Sequence, residues 1–204
     1  LVKDYSQYSP IKKDNNPNYQ KLLNDKNEWL NEVVNPHREK LTRRPFTINY
    51  NAAKYTHLPA RDAEINGDLK RSSIHANCSF IENWKNTNDY IFWEIDVLED
   101  GINNIELYYT LEKESVGTEI ALEFENQIIK KTIDKFHDPS LVGSFEDKIE
   151  RIESYTKDFK KINIGKISLK KGKSILKLKT TKMEGDKSID FRLLILKNEN
   201  EKNS

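Results

Sequence analysis

Hydrophobic residues alternate with polar ones along most of the chain after residue 45. In the clearest segment, Tyr90–Val97, the apolar side chains of Ile91, Trp93, Ile95 and Val97 occupy every second position. Successive side chains of a β-strand point to opposite faces, so this spacing predicts a strand with one buried face. Similar segments are found at 46–50, 54–58, 74–81, 105–109, 120–124, 128–133, 162–169, 176–178 and 189–195. We therefore predict a mainly β fold, an antiparallel β-sandwich of the jelly-roll type with about eight to ten strands.

One segment with helical spacing precedes the strands. Between residues 18 and 34, apolar side chains recur at helical intervals with Lys26 interrupting them, and Pro36 ends the run. This pattern predicts one amphipathic α-helix whose apolar stripe packs on this domain or on a neighbouring one. The residues before it contain Pro10 and Pro17 and have no period, which is typical of a linker. The predicted organisation is a linker (1–17), a helix with its connector (18–40), a β-sandwich domain (41–197) and a disordered tail (198–204).

A long polar run interrupts the strand pattern in the stretch 136–172. It is rich in charged side chains and has no period until it becomes strand-like at Phe159. Long polar insertions between strands are usually functional or disordered. Aromatic residues and balanced charge favour order here, so we predict that this insertion, defined as residues 136–158, is the working surface of the domain.

The balanced charge of the chain argues against nucleic acid and anionic membranes as binding partners. The chain has 34 Lys and Arg residues against 33 Asp and Glu residues, a net charge of +1, so it has no overall field that would attract nucleic acid or an anionic membrane. No apolar run approaches the length of a membrane span. The single Cys78 cannot form an internal disulfide. Because the chain begins at Leu1 in a polar segment without a visible signal peptide, we expect it to be a fragment of a larger protein.

The chain carries no complete catalytic motif. Its four histidines are scattered and Cys78 has no neighbouring cysteine, which does not fit a zinc site. No G-x-S-x-G elbow for a nucleophilic serine is present. Asp138 and Asp147 could act as an acid and base pair at a glycosidic bond, but such pairs arise by chance in an acid-rich chain. The sequence therefore favours a non-catalytic domain.

Aromatic side chains in polar loops indicate carbohydrate contact, because sugar rings lay their apolar faces on Trp or Tyr. Trp93 is in phase with the buried face of its strand and is expected in the core. Trp84, in the loop FIENWKNTND, and Tyr155, in the insertion, are the better candidates for stacking on a sugar.

Two resemblances to known families rest on longer phrases. The hairpins WEIDVLEDGINNIELYYT and IGKISLKKGKSILKLK resemble those of galactose-binding-like jelly rolls and of carbohydrate-binding modules of families 6 and 35. The phrases LTRRPFTINY, LPARDAEINGDLKRS, ANCSFIENW, IELYYT, HDPSL and ESYTKDF resemble the C-terminal domain of bacterial arylsulfatase-like proteins of the alkaline-phosphatase superfamily. The second resemblance extends in order from about residue 41 to residue 196.

The sulfatase resemblance implies a parent enzyme that hydrolyses sulfate esters. Its catalytic domain would lie N-terminal to this chain, with the helix at 18–34 as its last helix, and would use calcium and a formylglycine made from a C/S-x-P-x-R signature. Cys78 is followed by SFIE, which supplies neither the proline nor the arginine. The resemblance thus implies a non-catalytic accessory domain of a periplasmic or secreted bacterial hydrolase, in contact with that catalytic domain and with a sulfated polysaccharide.

The expected binding residues lie in the insertion and in the loops before it. They are Trp84, Asp138, Arg151, Tyr155, Lys157, Asp158, Arg61, Asp62 and Arg71. The arginines would pair with sulfate or carboxylate groups, the aspartates would accept hydrogen bonds from sugar hydroxyls, and the aromatic rings would stack. Sugar-binding jelly rolls often hold a structural calcium near the first and last strands, which implies Glu64 and Asp190 as its ligands here.

Two alternatives stay open at this point. The domain could be a purely structural module that packs on the catalytic domain, marked by ion pairs of Arg151 with Glu153 or Asp158 and by an exposed apolar patch. It could also be a polysaccharide lyase or glycosidase on a jelly-roll scaffold, since sandwiches host many functions.

Overall fold

The computed structural model describes residues 16–38, 44–75, 80–149 and 151–199, and divides the chain into two compact units, Leu1–Arg44 and Pro45–Ser204. Most of the predicted linker, most of the predicted tail and Cys78 lie outside the described residues. The first unit contains helix α1 (Pro17–Trp29), which continues through a π-helical turn at Leu30–Val34 and a 3-10 turn at Asn35–His37. The helix begins one residue before the predicted start because Asn16 caps it, its side chain accepting a hydrogen bond from the backbone N–H of Asn18.

The second unit consists of two sheets. The strands of the first sheet are β1 (Phe46–Ile48), β3 (Glu64–Asn66), β6 (Tyr90–Val97), β8 (Glu119–Phe124), β9 (Gln127–Thr132) and β11 (Gly172–Lys182). Those of the second sheet are β2 (Tyr55–Pro59), β4 (Lys70–Arg71), β5 (Ile81–Glu82), β7 (Gly101–Thr110), β10 (Lys160–Leu169) and β12 (Asp190–Asn198). Single 3-10 turns lie at Ala60–Asp62 and Lys113–Ser115.

The pairing of the strands confirms the predicted mainly β, jelly-roll sandwich. The first sheet has the order β1-β6-β11-β8-β9, with β3 also on β6, and the second has the order β10-β7-β12-β5-β4, with β2 also on β12. All described pairs are antiparallel except β1 with β6. Neighbouring strands in each sheet are therefore often distant in sequence, as in Greek-key folds.

The core lies between the two sheets. Along β6 the buried and half-buried side chains alternate without a break, as the sequence predicted. Trp93 is buried and packs its ring edge-on against Phe191 of the opposite sheet, with 5.7 Å between ring centroids. The expectation that Trp93 belongs to the core is thereby confirmed.

The short strands differ from the prediction. The segment 74–81 was predicted as one strand, but Ile74 is exposed in a bend, and of the described residues in this segment only Ile81 belongs to a strand, β5. The strand predicted at 46–50 ends at Ile48 because Asn49 adopts a left-handed φ of 57°. There its buried side chain donates a hydrogen bond to the backbone carbonyl of Glu99. Strands this short have no measurable period, so sequence spacing does not define them.

The insertion follows β9 and is bound to the second sheet at two ends. The backbone of His137 exchanges hydrogen bonds of 2.8 and 2.9 Å with Leu111, just after β7. At its other end, the hydroxyl of Ser154 lies 2.7 Å from that of Ser72, which follows β4. Within the insertion, the backbone N–H of Val142 donates a hydrogen bond to the backbone carbonyl of Thr156. These contacts place the insertion beside the short strands β4 and β5.

Candidate functional site

A cleft of about 700 Å³ opens between the insertion and β5. Four of the expected binding residues line it, namely Asp138, Arg151, Tyr155 and Lys157. The remaining lining residues are Ser72, Phe80, Glu82, Pro139, Ser140, Leu141, Ile152, Glu153 and Ser154. We call this space the insertion cleft.

A buried ion pair anchors one wall of the insertion cleft. Nζ of Lys157 lies 2.7 Å from Oδ2 of Asp190, and their side chains are 13% and 4% exposed. Thr110 donates a hydrogen bond of 3.1 Å to the same carboxylate oxygen, and Nζ of Lys157 lies 5.4 Å from the ring centroid of Phe80. Lys157 thus holds the insertion against β12 and is not a free cation.

A second lysine completes this cluster. Nζ of Lys187 lies 2.9 Å from Glu112 and 3.7 Å from Oδ1 of Asp190. Burial acts to lower the pKa of Lys187, but the hydrogen bond with Glu112 and the charges of Asp190, Glu112 and Asp138 together raise it above its ordinary value. The Asp190 carboxylate is therefore shared by two ammonium groups.

Arg151 is also satisfied from within the insertion. Its guanidinium binds both oxygens of Asp147, at 2.5 and 3.2 Å, and stands 4.8 Å from the ring centroid of Tyr155. The Tyr155 hydroxyl donates a 2.8 Å hydrogen bond to Asp147. The hydrogen bonds from Arg151 and Tyr155 lower the pKa of the Asp147 carboxyl. The hydrogen bond with Asp147 in turn raises the pKa of Arg151. This triad fixes the Tyr155 ring in one orientation at the cleft.

The groups left available in the insertion cleft are oxygen acceptors. The carboxylates of Glu82, Asp138 and Glu153 and the hydroxyl of Ser140 have no hydrogen-bond partner in the part of the chain that the structure describes. Because both cations of the lining are paired with Asp147 and Asp190, these acceptors are what a ligand would meet.

Trp84 corrects the sequence interpretation. Its side chain is fully buried in the core, where Nε1 donates to the backbone carbonyl of Asp89 at 3.3 Å. The prediction that Trp84 stacks on a sugar or lines an interface was wrong, because the polar loop around it folds over the core and the indole fills the space beneath. Long-range packing of this kind leaves no signal in the local sequence.

The other expected residues do not line the insertion cleft. Arg71 donates hydrogen bonds to the backbone carbonyls of Arg61 and Ala63, and Nε of Arg61 pairs with Asp62 at 3.2 Å on the surface. The Asp158 side chain is exposed, and its backbone carbonyl lies 2.6 Å from Nε2 of His137. Arg61, Asp62 and Arg71 thus form a group of their own around the 3-10 turn at Ala60–Asp62.

The two residues expected to bind calcium, Glu64 and Asp190, lie on different sheets. Glu64 lies on β3 of the first sheet, whereas Asp190 lies on β12 of the second. Oδ2 of Asp190 accepts a 2.7 Å hydrogen bond from the ammonium of Lys157. Within residues 16–38, 44–75, 80–149 and 151–199, no group of three or more His, Cys, Asp or Glu residues could hold a metal.

A second surface, which the sequence interpretation missed, lies on the outer face of the first sheet. This sheet-face groove of about 500 Å³ is lined by Tyr90, Phe92, Glu123, Glu125, Ser174, Ile175 and Lys177. Tyr90 and Phe92 alternate along β6 with the buried residues, so they lie on the outer face of the sheet, where polar side chains are expected. Two aromatic residues at positions of a strand where polar side chains are expected were the sequence signal that could have predicted this groove.

None of the described helices is long and apolar enough to cross a membrane.

Comparison with protein-family models gives no match, and comparison with curated protein sequences gives none. Among solved structures, the Cry4Aa toxin from Bacillus thuringiensis is similar, with 12% identity over 72% of this chain and 24% of the toxin and a TM-score of 0.52. A GH26-CBM35 β-(1,4)-mannanase from Podospora anserina shares 10% identity over 73% of this chain and 28% of its own, with a TM-score of 0.49. A family 35 carbohydrate-binding module from Clostridium thermocellum shares 14% identity over 70% of this chain and 98% of its own, with a TM-score of 0.46. The chain thus spans about a quarter of the toxin and mannanase chains, and at these identities the likeness concerns the fold alone.

Proposed function

We propose that the β-sandwich is a non-catalytic accessory domain that binds carbohydrate in the insertion cleft. The observation that carries this proposal is the combination, in one concave space, of a tyrosine ring fixed by Asp147 with oxygen acceptors that have no hydrogen-bond partner among the described residues. A cleft of about 700 Å³ falls within the range of small-molecule sites. Such a space accepts a few sugar rings of a longer chain.

Each part of the cleft has a chemical role in this proposal. Sugar hydroxyls donate to the carboxylates of Asp138, Glu82 and Glu153, while apolar C–H faces of the sugar contact the Tyr155 ring and the neighbouring Leu141 side chain. The Lys157–Asp190 pair keeps the wall in place before the ligand arrives. A preformed wall avoids part of the entropy loss on binding.

Calorimetric titration of the chain with neutral and sulfated oligosaccharides tests this proposal. We expect Asp138→Ala to weaken binding roughly tenfold or more, the effect of losing a hydrogen bond to a charged acceptor. Because Asp138 has no described hydrogen-bond partner, the variant should fold normally. Asp134→Ala, an exposed aspartate outside the cleft lining, is the matched control and should bind as the parent chain does. Absence of binding to every saccharide at millimolar concentration would overturn the proposal.

We further propose that this domain accompanies a sulfatase that acts on sulfated polysaccharides in the periplasm or outside the cell. The support is the ordered set of phrases from about residue 41 to residue 196. In that enzyme, calcium and formylglycine would belong to the N-terminal catalytic domain. Residues encoded upstream of Leu1 test this directly, since a parent protein without a C/S-x-P-x-R signature would contradict it.

A second candidate function is docking on a partner domain. Five large apolar side chains are exposed among the described residues of the insertion, with Phe145 at 80% and Ile149 at 84%; the others are Phe136, Val142 and Ile152. In so charged a domain, an exposed apolar group of this size favours protein contact. The Arg151–Asp147 pair is an internal ion pair of the insertion and differs in partner from the expected Glu153 or Asp158.

The two functions are separable by substitution. Phe145→Ser together with Ile149→Ser should abolish association with the catalytic domain of the parent protein in analytical ultracentrifugation, while leaving saccharide affinity unchanged. Loss of saccharide affinity with intact association would instead place these side chains in the binding site.

Release of product from a polysaccharide by this chain alone would establish the lyase or glycosidase alternative.

A further inference from the structure

The floor of the sheet-face groove is apolar, and its side chains lie on the outer face of the sheet, away from the core. Tyr90 and Phe92 stand on the outer face of β6, their ring centroids 6.1 Å apart at an angle of 48°. Ile175 of the neighbouring strand β11 is 48% exposed and extends the floor. The result is a short strip of ring and methyl surface on an otherwise charged sheet face.

The charged groups around this floor balance one another. Nζ of Lys177 lies 4.5 Å from the ring centroid of Tyr90 and 3.7 Å from Glu123. Lys179 forms an ion pair with the same carboxylate, and Glu125 stands at the rim. Two ammonium groups and two carboxylates therefore surround the groove, which offers hydrogen-bond donors and acceptors without an excess of either charge.

This combination fits an uncharged sugar. A pyranose has an apolar C–H face that suits the Tyr90 and Phe92 rings, and equatorial hydroxyls that both donate and accept. The hydroxyls can bind Glu125, Glu123 and the Lys177 ammonium at the rim. A sulfated chain would gain little here, because the two lysines already share the Glu123 carboxylate and Glu125 adds a second negative charge beside them.

We infer that the sheet-face groove is a second binding site, for an uncharged pyranose oligosaccharide. It shares no lining residue with the insertion cleft. The inference therefore goes beyond the proposed function and stands or fails separately from it.

NMR titration of the whole chain with cellohexaose, mannohexaose and laminarihexaose tests the inference. We expect at least one of these probes to shift the signals of Tyr90, Phe92 and Ile175, and Tyr90→Ala and Phe92→Ala each to weaken its binding about tenfold or more. Tyr55→Ala is the matched control, since Tyr55 is 51% exposed on β2 of the other sheet, and should bind as the parent chain does. Thermal unfolding of each variant verifies that it is folded.

The outcomes separate the two sites. Binding that is lost in Tyr90→Ala or Phe92→Ala but retained in Asp138→Ala supports the sheet-face site, whatever the fate of the insertion cleft. Binding that is lost only in Asp138→Ala overturns the sheet-face site and leaves the proposed function standing. If none of the three probes binds, or if folded Tyr90→Ala and Phe92→Ala bind as the parent chain does, the inference is wrong.

Discussion

Lys157 and Asp190 meet in the fold although one belongs to the insertion and the other begins β12. Removing two charges from water is costly, and the pair tolerates it because each partner neutralises the other and Thr110 donates a further hydrogen bond to Oδ2 of Asp190. Asp190 was expected to bind calcium. In the structure its carboxylate accepts a hydrogen bond from the ammonium group of Lys157, and this pair holds the insertion against β12.

The first residue-scale prediction concerns this pair. Lys157→Ala leaves the Asp190 carboxylate buried with its main partner missing, so we expect the free energy of unfolding in urea to fall by about 3–5 kcal/mol. The matched control is Lys161→Ala, which removes an ion pair with Glu106 in which the lysine side chain is 52% exposed. This substitution should lower the free energy of unfolding by about 1 kcal/mol or less. Equal effects of the two substitutions would contradict the structural role of Lys157.

The second residue-scale prediction concerns pH. Hydrogen bonds from Arg151 and Tyr155 lower the folded-state pKa of Asp147 below its ordinary value of 3.8, which the unfolded chain retains. The stabilisation by this carboxylate is therefore fully present above about pH 3.8 and is lost as the pH falls through the lower, folded-state pKa. The difference in melting temperature between the parent chain and Asp147→Asn should shrink as the pH is lowered through this range. A difference that stays constant from pH 7 to strongly acidic solution would contradict the interpretation.

At the scale of elements, sequence spacing predicted the long strands and failed for the short ones. Alternation along β6 and β7 reflects burial between two sheets, which acts on every second residue. Strands such as β3 and β4 contain two or three residues, and their existence depends on partners far along the chain. Four binding candidates met at one cleft because they are neighbours in the insertion, whereas Trp84 was misplaced because its surroundings are set by distant elements.

Two glycines, Gly67 in the turn after β3 and Gly172 at the first position of β11, provide the prediction at this scale. Gly67 and Gly172 both adopt a positive φ, 101° and 132°, so alanine is strained at either position. A Cβ on Gly172 would meet nothing within 4 Å, while one on Gly67 would lie 2.1 Å from Oδ1 of Asp89. That carboxylate accepts a hydrogen bond from the backbone N–H of Asp68 through its other oxygen and cannot move freely.

We therefore expect Gly172→Ala to cost about 1–2 kcal/mol of unfolding free energy, the price of backbone strain alone. Gly67→Ala should cost at least about 1 kcal/mol more, because strain and steric overlap add. Chemical denaturation of both variants measures the two values on the same scale. A Gly67→Ala variant no less stable than Gly172→Ala would show that the turn between β3 and β4 relaxes easily.

At the scale of the whole molecule, the core belongs to one unit. Its buried residues extend from Ile48 on β1 to Leu196 on β12, and all of them lie in Pro45–Ser204. Because this cluster contains the hydrophobic burial that stabilises the sandwich, the unit should fold without residues 1–44. We expect a chain of residues 45–204 to keep the near-ultraviolet circular dichroism of its aromatic core and the cooperative unfolding of the full chain. Its saccharide affinity should also be unchanged, since every lining residue of both candidate sites lies in this unit. A truncated chain that unfolds without cooperativity would show that the first unit contributes to the stability of the sandwich.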